Sequence, residues 1–393
     1  MSMSDPVVIV GMARTPMAGL LGELSQMTAS ELGAVAVKAA VSEAGLKADE
    51  ADEIIMGNCL PAGQGQAPAR QAGFKAGLDK GLEATTINKM CGSGLQAAVM
   101  GRNAIAAGDA NIVIVGGMES MTNAPHLLNA RSGHKYGAME AQDHMALDGL
   151  TDAYQHGPMG AFADMIAEQY QFTREAQDAY ALETLRRAQQ ATAEGRFKRE
   201  IAPVTLSSRK GDICVDTDEL PRTAKPEKIP ALKPAFNREG TVTAANASAI
   251  SDGAAALVLM RASEAESRGL KPLAKIVASS SHAHEPEYFT TAPVPAMQKA
   301  LAKAGWDKGE VDLWEINEAF AVVPMIAMRD LGLSHDIVNV NGGACAMGHP
   351  IGASGARILI TLIAAMEEKD AAKGVAALCI GGGEGIAMCV ERV

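Results

Sequence analysis

The sequence predicts an α/β protein that contains two copies of one strand–helix unit, with an insertion in or after the first copy. Apolar strand-like runs alternate with helices of small residues at both ends of the chain. The two ends also resemble each other: residues 91–97 (CGSGLQA) align with residues 352–358 (GASGARI), and residues 113–119 (VIVGGME) with residues 378–384 (LCIGGGE). The middle of the chain, residues 118–250, breaks this rhythm, as an insertion would.

The composition bounds the class of protein. A chain of 393 residues with 48% hydrophobic and 21% charged residues is long enough for two or more globular domains. The net charge of −11 argues against nucleic acid or an anionic membrane as the main partner, and no apolar run is long enough to span a bilayer. The start, Met1–Asp5, lacks the regions of a signal peptide, and the six cysteines form no CxxC pair. We therefore expect a reduced, cytoplasmic protein with free cysteines.

The first copy opens with a buried strand at Val7–Val10, predicted by its unbroken apolar run. Thr28, with Glu31 three residues later, predicts a capping box that opens a helix. The remaining elements of this copy are strands at Glu53–Met56, Thr85–Ile87 and Asn111–Val115, and a helix from about Gly94 to Ala107 that Gly108 ends.

The middle of the chain predicts fewer regular elements. Residues 118–160 are rich in Met, His, Gly and Asn without a sustained period, which indicates surface loops or an arm used in assembly. Thr173 caps a long helix that ends near Gly195. Residues 196–238 hold ten Lys and Arg against six Asp and Glu, and this excess indicates either a phosphate-facing surface or a solvated basic loop.

In the second copy, strands alternate with helices again, which predicts a parallel sheet covered on both faces. Ser263 and Glu266 predict a second capping box. The strands are predicted at Gly253–Met260, Leu273–Ser279, Leu313–Ile316, Ile337–Val340, Val375–Ile380 and Ile386–Val390, and the helices at Pro295–Ala304, Ala319–Asp330 and Ala353–Met366.

Cys91 is the first candidate for chemistry. It stands where a strand gives way to a helix, so free N–H groups and the positive end of the helix dipole should favour its thiolate. Gly92 and Gly94 remove side chains, which would let a substrate approach the sulfur. Free cysteines are also common core residues, so this stretch alone leaves nucleophile and core residue both open.

Three further candidates lie near the ends of predicted strands. Asn317 follows Leu313–Ile316, Cys379 ends a strand before three glycines, and His349 precedes Pro350 in a glycine-bounded loop. Sites in open α/β sheets form beyond the carboxyl ends of strands, so these side chains are expected to converge. Taken singly, Asn317 could cap a helix and Cys379 could fill the core, whereas His349 favours a functional role.

These four residues lie in motifs that resemble those of the thiolase family. The motifs are NKMCGSG at Cys91, NEAF at Asn317, GHPIGASG at His349 and CIGGG at Cys379, and the resemblance runs from Val8 to Glu391. It implies two βαβαβαββ halves in five layers, α-β-α-β-α, with an inserted loop domain. The implied divisions are an N-terminal half at 1–121 completed by 251–272, a loop domain for coenzyme A and tetramer contacts at 122–250, and a C-terminal half at 273–393.

The resemblance also implies an acyl-enzyme mechanism. His349 would take the proton of Cys91, and the thiolate would attack a thioester or 3-keto carbonyl. Cys379 would serve as the second acid–base at the α-carbon. His349 and a water held by Asn317 would bind the enolate oxygen, and the backbone N–H groups of Cys91 and Gly381 would bind the tetrahedral intermediate.

Substrate contacts are implied by similarity as well, and two departures bear on them. Many short-chain members have His-Met-Gly where this chain has Pro158-Met159-Gly160, and residues 288–291 (YFTT) are bulkier than the Met-Gly pattern of many biosynthetic members. Loop 125–146 has the length of the family's tetramerisation loop, so a homotetramer is expected. The residues expected to bind coenzyme A or the acyl chain are Leu150, Met159, Arg222 (at the nucleotide end), Ala244, Ser248, Phe289, Ala319 and Phe320.

The expected function is that of an acetyl-CoA C-acetyltransferase, which condenses two acetyl-CoA to acetoacetyl-CoA and CoA or cleaves short 3-ketoacyl-CoA. The alternatives are a broader-chain degradative 3-ketoacyl-CoA thiolase of β-oxidation, a ketoacyl synthase-like enzyme and a non-catalytic lipid carrier. A ketoacyl synthase pairs its cysteine with two histidines, whereas Cys379 takes the second position here. Coenzyme A thioesters enter as substrates, and we expect no permanently bound cofactor. We also expect no metal, because the histidines other than His349 lack metal-ligand spacing.

Overall fold

The computed structural model describes residues 5–209 and 211–393, so the expectation for the first four residues lies outside the described part of the chain. The helices are α1 (Ala29–Glu43), α2 (Pro68–Lys75), α3 (Ser93–Ala107), α4 (Met159–Gln169), α5 (Arg174–Ala193), α6 (Glu219–Thr223), α7 (Ala262–Ser267), α8 (Pro293–Ala304), α9 (Val322–Leu331), α10 (Ala344–Met347) and α11 (Ile351–Glu368). The strands are β1 (Val7–Arg14), β2 (Ala18–Gly19), β3 (Glu53–Gly57), β4 (Glu83–Ile87), β5 (Ile112–Ser120), β6 (His126–Leu127), β7 (Gln142–Asp143), β8 (Val204–Leu206), β9 (Ile213–Val215), β10 (Ser251–Arg261), β11 (Ala274–Ala283), β12 (Leu313–Ile316), β13 (Lys373–Ile380) and β14 (Glu384–Arg392).

The main strands form one path in the order β12-β13-β14-β11-β1-β10-β5-β3-β4. The two halves of this path meet only where β1 pairs with β11, at Val8 with Lys275 and Ile9 with Ala274. The expectation of a parallel sheet is wrong for most of it. Parallel pairing holds for β3–β4, β3–β5 and β12–β13, whereas β10 lies antiparallel to β1 and β5, and β13–β14 is an antiparallel hairpin.

The helices cover the two half-sheets in five layers. Helices α1 and α2 pack on the outer face of the first half-sheet, and α8 and α9 on the outer face of the second. Helices α3 and α11 pack against each other between the two half-sheets, and α11 is buried from Ile351 to Met366. The predicted fold class, a duplicated α/β unit in five layers with buried central helices, is confirmed.

The chain between β5 and β10 lies outside the main sheet. Its short strands form two separate hairpins, β6–β7 and β8–β9. Helix α4 was not predicted, although Phe162 and Ile166 lie one helical turn apart, and both pack into the core of the second half. The helix capped by Thr173 is present as α5, where the Thr173 hydroxyl accepts the N–H of Ala176.

Two smaller predictions fail for local reasons. No strand forms at Ile337–Val340, where a single bridge joins Val338 to Trp314 after a short 3₁₀ turn. Ser263 does not cap α7, because its hydroxyl donates instead to the Asp5 carboxylate at 2.6 Å. Across residues 5–209 and 211–393, the helices are too short or too polar to cross a membrane.

Candidate active site

Cys91 stands in a strained turn between β4 and α3. Met90 has a φ of +46°, in the left-handed region that non-glycine residues rarely adopt. The Ser93 hydroxyl fixes this turn, since it donates to the Met90 carbonyl at 2.6 Å and accepts the Lys89 N–H at 2.8 Å. Strain that a local hydrogen-bond network holds in place is common at functional sites, and here it directs a partly buried thiol.

The electrostatics of Cys91 differ from the expectation. Burial raises the pKa of the thiol to about 11, although the backbone N–H groups of Gly381 and of Cys91 itself lower it. The buried Glu119 carboxylate nearby raises it further. The expectation of a thiolate favoured by the helix start is therefore wrong for the resting protein, because loss of hydration outweighs the N–H groups. A base is needed to activate this nucleophile.

His349 lies in the loop between α10 and α11, close to the start of the central helix. Its backbone N–H donates to Ala249 O at 3.0 Å, and its Nδ1 lies 2.6 Å from Ser354 Oγ. Burial first, and the positive charge of Arg357 second, lower the pKa of His349 to about 3, so the ring is neutral. Its Nε2 is buried and has no hydrogen-bond partner among the residues that the structure describes. An uncharged imidazole with a free nitrogen can act as a base.

Asn317 follows β12 and is 1% exposed. Arg357, on the central helix α11, donates from Nη2 to Asn317 Oδ1 at 3.2 Å and from Nη1 to Glu315 Oε1 at 3.1 Å. This contact assigns the oxygen side of the amide, so Nδ2 is the group left buried without a partner. A buried amide donor with no partner can hold a water or a substrate oxygen.

Cys379 and Gly381 come from the end of β13 and the glycine turn that leads into β14. Cys379 is fully buried, and burial first and Cys91 second raise the pKa of its thiol well above the ordinary value. The N–H of Gly381 stabilises the Cys91 thiolate. Gly382 and Gly383 have φ values of +94° and +89°, a conformation that suits glycine and lets the turn carry Gly381 to Cys91.

The reactive residues face an open cavity of about 410 Å³. Cys91, His349 and Gly381 line it, while Asn317 and Cys379 are buried and are not among its lining residues. Seven of the eight residues expected to bind substrate line the cavity, namely Leu150, Met159, Ala244, Ser248, Phe289, Ala319 and Phe320. The remaining wall includes residues that sequence reasoning missed, among them Phe236, Ala247, Ile250 and Ile351.

Arg222, the eighth expected residue, is not part of the cavity wall. Its Nη2 pairs with Glu23 Oε2 at 2.6 Å, and its Nε donates to the Asp218 carbonyl at 3.2 Å. The structure therefore does not bring Arg222 together with the other predicted site residues. Its contact with the nucleotide end of coenzyme A stays a prediction, and such a contact would compete with Glu23.

The departure at Pro158 has a simple structural outcome. Pro158 is the residue before the first turn of α4, and Met159, the first residue of that helix, lines the cavity. His156 is exposed, has a φ of +57° and is absent from the cavity wall. The polar contact that a histidine at position 158 would supply is thus not replaced by His156.

Glu119 is a buried group beside the site that sequence reasoning missed. Its carboxylate accepts the N–H groups of Cys59 at 2.9 Å, Leu60 at 3.2 Å and Gly352 at 2.9 Å, and the amide of Asn58 at 2.7 Å. Burial raises its pKa to about 7 despite these bonds. The only signal in the sequence is its place in VIVGGME. Its effect is to tie the end of β3 to the start of α11.

A strained cysteine and a neutral histidine that face one mostly apolar cavity, on a duplicated five-layered fold, define an acyltransferase. Family models agree with this class: "Thiolase, N-terminal domain" matches residues 7–263 and "Thiolase, C-terminal domain" matches residues 270–392. The chain belongs to the thiolase family.

Individual relatives cover the full length. The chain is 50% identical over 393 residues to an acetyl-CoA acetyltransferase of Rhizobium meliloti (strain 1021), with 100% of both chains covered. An acetyl-CoA acetyltransferase structure from Syntrophomonas wolfei superposes with a TM-score of 0.96 at 41% identity, covering 99% of this chain and 100% of that one. The Acat5 thiolase of Ascaris suum, solved in complex with coenzyme A, superposes with a TM-score of 0.94 at 42% identity and the same coverage.

Proposed function

We propose that the chain is an acetyl-CoA C-acetyltransferase that reversibly condenses two acetyl-CoA to acetoacetyl-CoA and CoA. The observation that carries this proposal is the apolar cavity that both the Cys91 thiol and the neutral imidazole of His349 line. A binding protein without catalysis has no need of a base at a buried thiol. The nearly full-length similarity to enzymes named acetyl-CoA acetyltransferase supports the choice of acetyl-CoA.

In the first half-reaction, Cys91 accepts the acetyl group. Its proton passes to His349 Nε2 as the sulfur attacks the thioester carbonyl, and the N–H groups of Cys91 and Gly381 stabilise the charge that develops on the carbonyl oxygen. The bond from the carbonyl carbon to the coenzyme A sulfur then breaks, and the departing thiolate takes the proton from His349. The product is acetyl-Cys91 and free CoA.

In the second half-reaction, the Cys379 thiol first passes its proton to the free Nε2 of His349, and the resulting thiolate removes a proton from the methyl carbon of a second acetyl-CoA. The enolate carbon attacks acetyl-Cys91, which forms acetoacetyl-CoA and releases the Cys91 thiolate, and this thiolate takes the proton from His349. His349, once its Nε2 is protonated, donates to the enolate oxygen, and a water held by the Asn317 Nδ2 donor stabilises the same oxygen. Both thiols begin protonated. In the reverse direction, which is thiolysis, the Cys379 thiol can therefore give its proton directly to the departing enolate.

The acyl end of the cavity favours short, unbranched chains. Phe320 makes edge contacts with Phe289 and Phe236, with ring centroids 6.2 Å and 6.1 Å apart. Together with Met159, these rings limit the depth available beyond the reactive carbonyl. A hydrophobic pocket discriminates by about 1–3 kcal/mol per methylene, so the preference should be graded rather than absolute.

Two cations without side-chain partners flank a stretch of chain that lines the cavity. Ala235 and Phe236 line the cavity, and the exposed side chains of Lys233 and Arg238 stand on either side of them. Neither cation has a side-chain hydrogen bond or ion pair within residues 5–209 and 211–393. In contrast, Arg196 and Arg199 of the same basic segment are paired with carboxylates. Lys233 and Arg238 are therefore our candidates for contacts to the phosphates of coenzyme A.

The division into two halves and a loop domain at 122–250, the homotetramer and the cytoplasmic location remain proposals. The tetramer is supported by the exposed loop 125–146, which displays Leu128, Tyr136 and Met139 at 54%, 96% and 39% exposure. Large apolar side chains that are exposed together along one loop are typical of a protein–protein interface.

The test is thiolysis, followed through the absorbance of the acetoacetyl-CoA enolate–magnesium complex. The absorbance should fall only when free CoA is added, and kcat/KM should decline along a series of 3-ketoacyl-CoA of rising length. A maximum at medium or long chains, with acetoacetyl-CoA poor, would instead favour the degradative 3-ketoacyl-CoA thiolase, for which the missing histidine at Pro158 is the specific observation. No CoA-dependent loss with any chain length would refute the thiolase activity itself.

A further inference from the structure

The two ring nitrogens of His349 have different surroundings. Nδ1 lies 2.6 Å from the Ser354 hydroxyl, within α11, and Nε2 is buried without a partner. A neutral imidazole carries one proton, and only the other nitrogen can accept one. Which nitrogen holds the proton therefore decides whether His349 can take the proton of Cys91.

Ser354 has a second contact that bears on this question. Its Oγ lies 2.9 Å from the carbonyl oxygen of Pro350, one helical turn earlier, and Ser354 itself is fully buried. A serine hydroxyl has one proton and two lone pairs. When it donates to the Pro350 carbonyl, as serines inside helices often do, it can only accept from His349.

The opposite arrangement fits the site less well. If the hydroxyl donated to Nδ1, the proton of the ring would lie on Nε2, where it would be a buried donor without a partner. The Cys91 thiol, which lines the same cavity as His349, is also protonated at rest, so the two reactive groups would both be donors. With Nδ1–H, the free Nε2 is available to accept the thiol proton.

We infer that Ser354 is a positioning residue, which holds the proton of His349 on Nδ1 and so presents Nε2 as the base for Cys91. The expected effect on the acetylation rate rests on the proposed acyl transfer, whereas the position of the ring proton does not. Ser354 does not itself line the cavity, and its contact with the site is the hydrogen bond to His349, through which it acts. No bond to Ser354 forms or breaks.

The test compares Ser354→Ala with a control on the same helix. Thr361→Val also removes a buried hydroxyl from α11, one that donates to Glu200 at 3.2 Å rather than to the site. Ser354→Thr keeps a hydroxyl and should restore part of any loss. The readouts are the ¹⁵N resonances of ring-labelled His349, the single-turnover rate of Cys91 acetylation by acetyl-CoA, and the KM for acetyl-CoA.

We expect the wild-type spectrum to show a protonated Nδ1 and an unprotonated Nε2. Ser354→Ala should mix the two tautomers and slow acetylation by about 10²-fold, the lower end of what a positioned base contributes, with KM nearly unchanged. Thr361→Val should acetylate like the wild type.

Three results would overturn the inference. One is a wild-type spectrum with the proton on Nε2, which needs no variant to fold. Another is wild-type acetylation in Ser354→Ala, and a third is an equal loss in Thr361→Val. A wild-type protein that acetyl-CoA does not acetylate would refute the proposed function instead, while the tautomer measurement would still decide the role of Ser354.

Discussion

Cys91 rests in its unreactive protonated form, whereas His349 rests as the neutral imidazole that can accept the thiol proton. Burial keeps the thiol protonated, with a pKa of about 11, and keeps the imidazole neutral, with a pKa of about 3. The nucleophile is thus made only when a thioester carbonyl is in place to receive it. Such an arrangement protects the thiol from side reactions, since the thiolate is the reactive form toward oxidants and alkylating agents.

The first prediction concerns this resting thiol. Alkylation of Cys91 by iodoacetamide, followed by peptide mass spectrometry, should accelerate about tenfold per pH unit between about pH 6 and about pH 9, because only the thiolate reacts. The rate should not level off in this range, since the raised pKa lies above it. A plateau near neutral pH would mean that the Gly381 and Cys91 N–H groups outweigh burial.

The second prediction separates the two thiols. Cys379→Ser should still be acetylated at Cys91, because His349 and the N–H groups remain, but it should lose the exchange of acetyl-CoA methyl protons with deuterated solvent. NMR of recovered acetyl-CoA measures the exchange, and the acetylated Cys91 peptide serves as the control for folding. Exchange at the wild-type rate would show that another group is the base.

At the scale of elements, the site depends on how closely the central helices approach. Cys91 precedes α3 and His349 precedes α11, and the two helices meet where Gly94 faces Ala356 and Gly355 faces Leu95. A Cβ on Gly355 would lie 2.3 Å from the Leu95 backbone nitrogen, and one on Gly94 would lie 2.6 Å from that of Ala356. The glycines near both reactive residues therefore set the distance between the helices that carry them.

The third prediction follows from this contact. Gly355→Ala should lower the free energy of unfolding by about 1–3 kcal/mol through overpacking, and should slow acetylation because the helix starts move apart. Gly309→Ala is the matched control, since a Cβ there has nothing within 4 Å. Denaturant titration and single-turnover acetylation measure the two effects. Unchanged acetylation in a folded Gly355→Ala variant would show that the contact between α3 and α11 does not control the geometry of the site.

Elements were predictable from sequence where the determining contacts are local. The Thr28–Glu31 capping box is present, with Thr28 N–H donating to Glu31 at 2.9 Å, and Gly108 ends α3 with a φ of +86°. Helix α4 is an exception, since its buried residues Phe162, Ile166 and Ala167 have helical spacing and the helix was still missed. The antiparallel pairing was missed because strand direction depends on which strands become neighbours, which periodicity does not report.

At the scale of the whole molecule, the layered fold brings distant stretches to one cavity. Cys91 comes from the first copy, His349 and Gly381 from the second, and Met159 and Phe236 from the chain between β5 and β10. The motif residues could be predicted because glycine-rich strand ends are visible in the sequence. Phe236 and Ser354 could not, since a cavity wall and a hydrogen bond to His349 depend on the folded arrangement.

The fourth prediction concerns assembly. A variant with Leu128→Ser and Tyr136→Ser should shift from tetramer to dimer in light scattering at low micromolar concentration, because it removes the largest exposed apolar side chains of loop 125–146. Tyr154→Ser, another exposed aromatic outside the loop at 71% exposure, is the control and should remain tetrameric. If the double variant stays tetrameric, the contact between dimers does not depend on loop 125–146.

The most direct test of the central claim is the site of acetylation, which provides the fifth prediction. The protein is incubated with acetyl-CoA in the absence of free CoA, quenched in acid and digested for peptide mass spectrometry. The account predicts one acetyl group on Cys91, none in Cys91→Ser, and its removal from the wild type by added CoA. An acetyl group on Cys379 or Cys345 instead, in protein that still produces acetoacetyl-CoA, would contradict the assignment of Cys91 as the nucleophile.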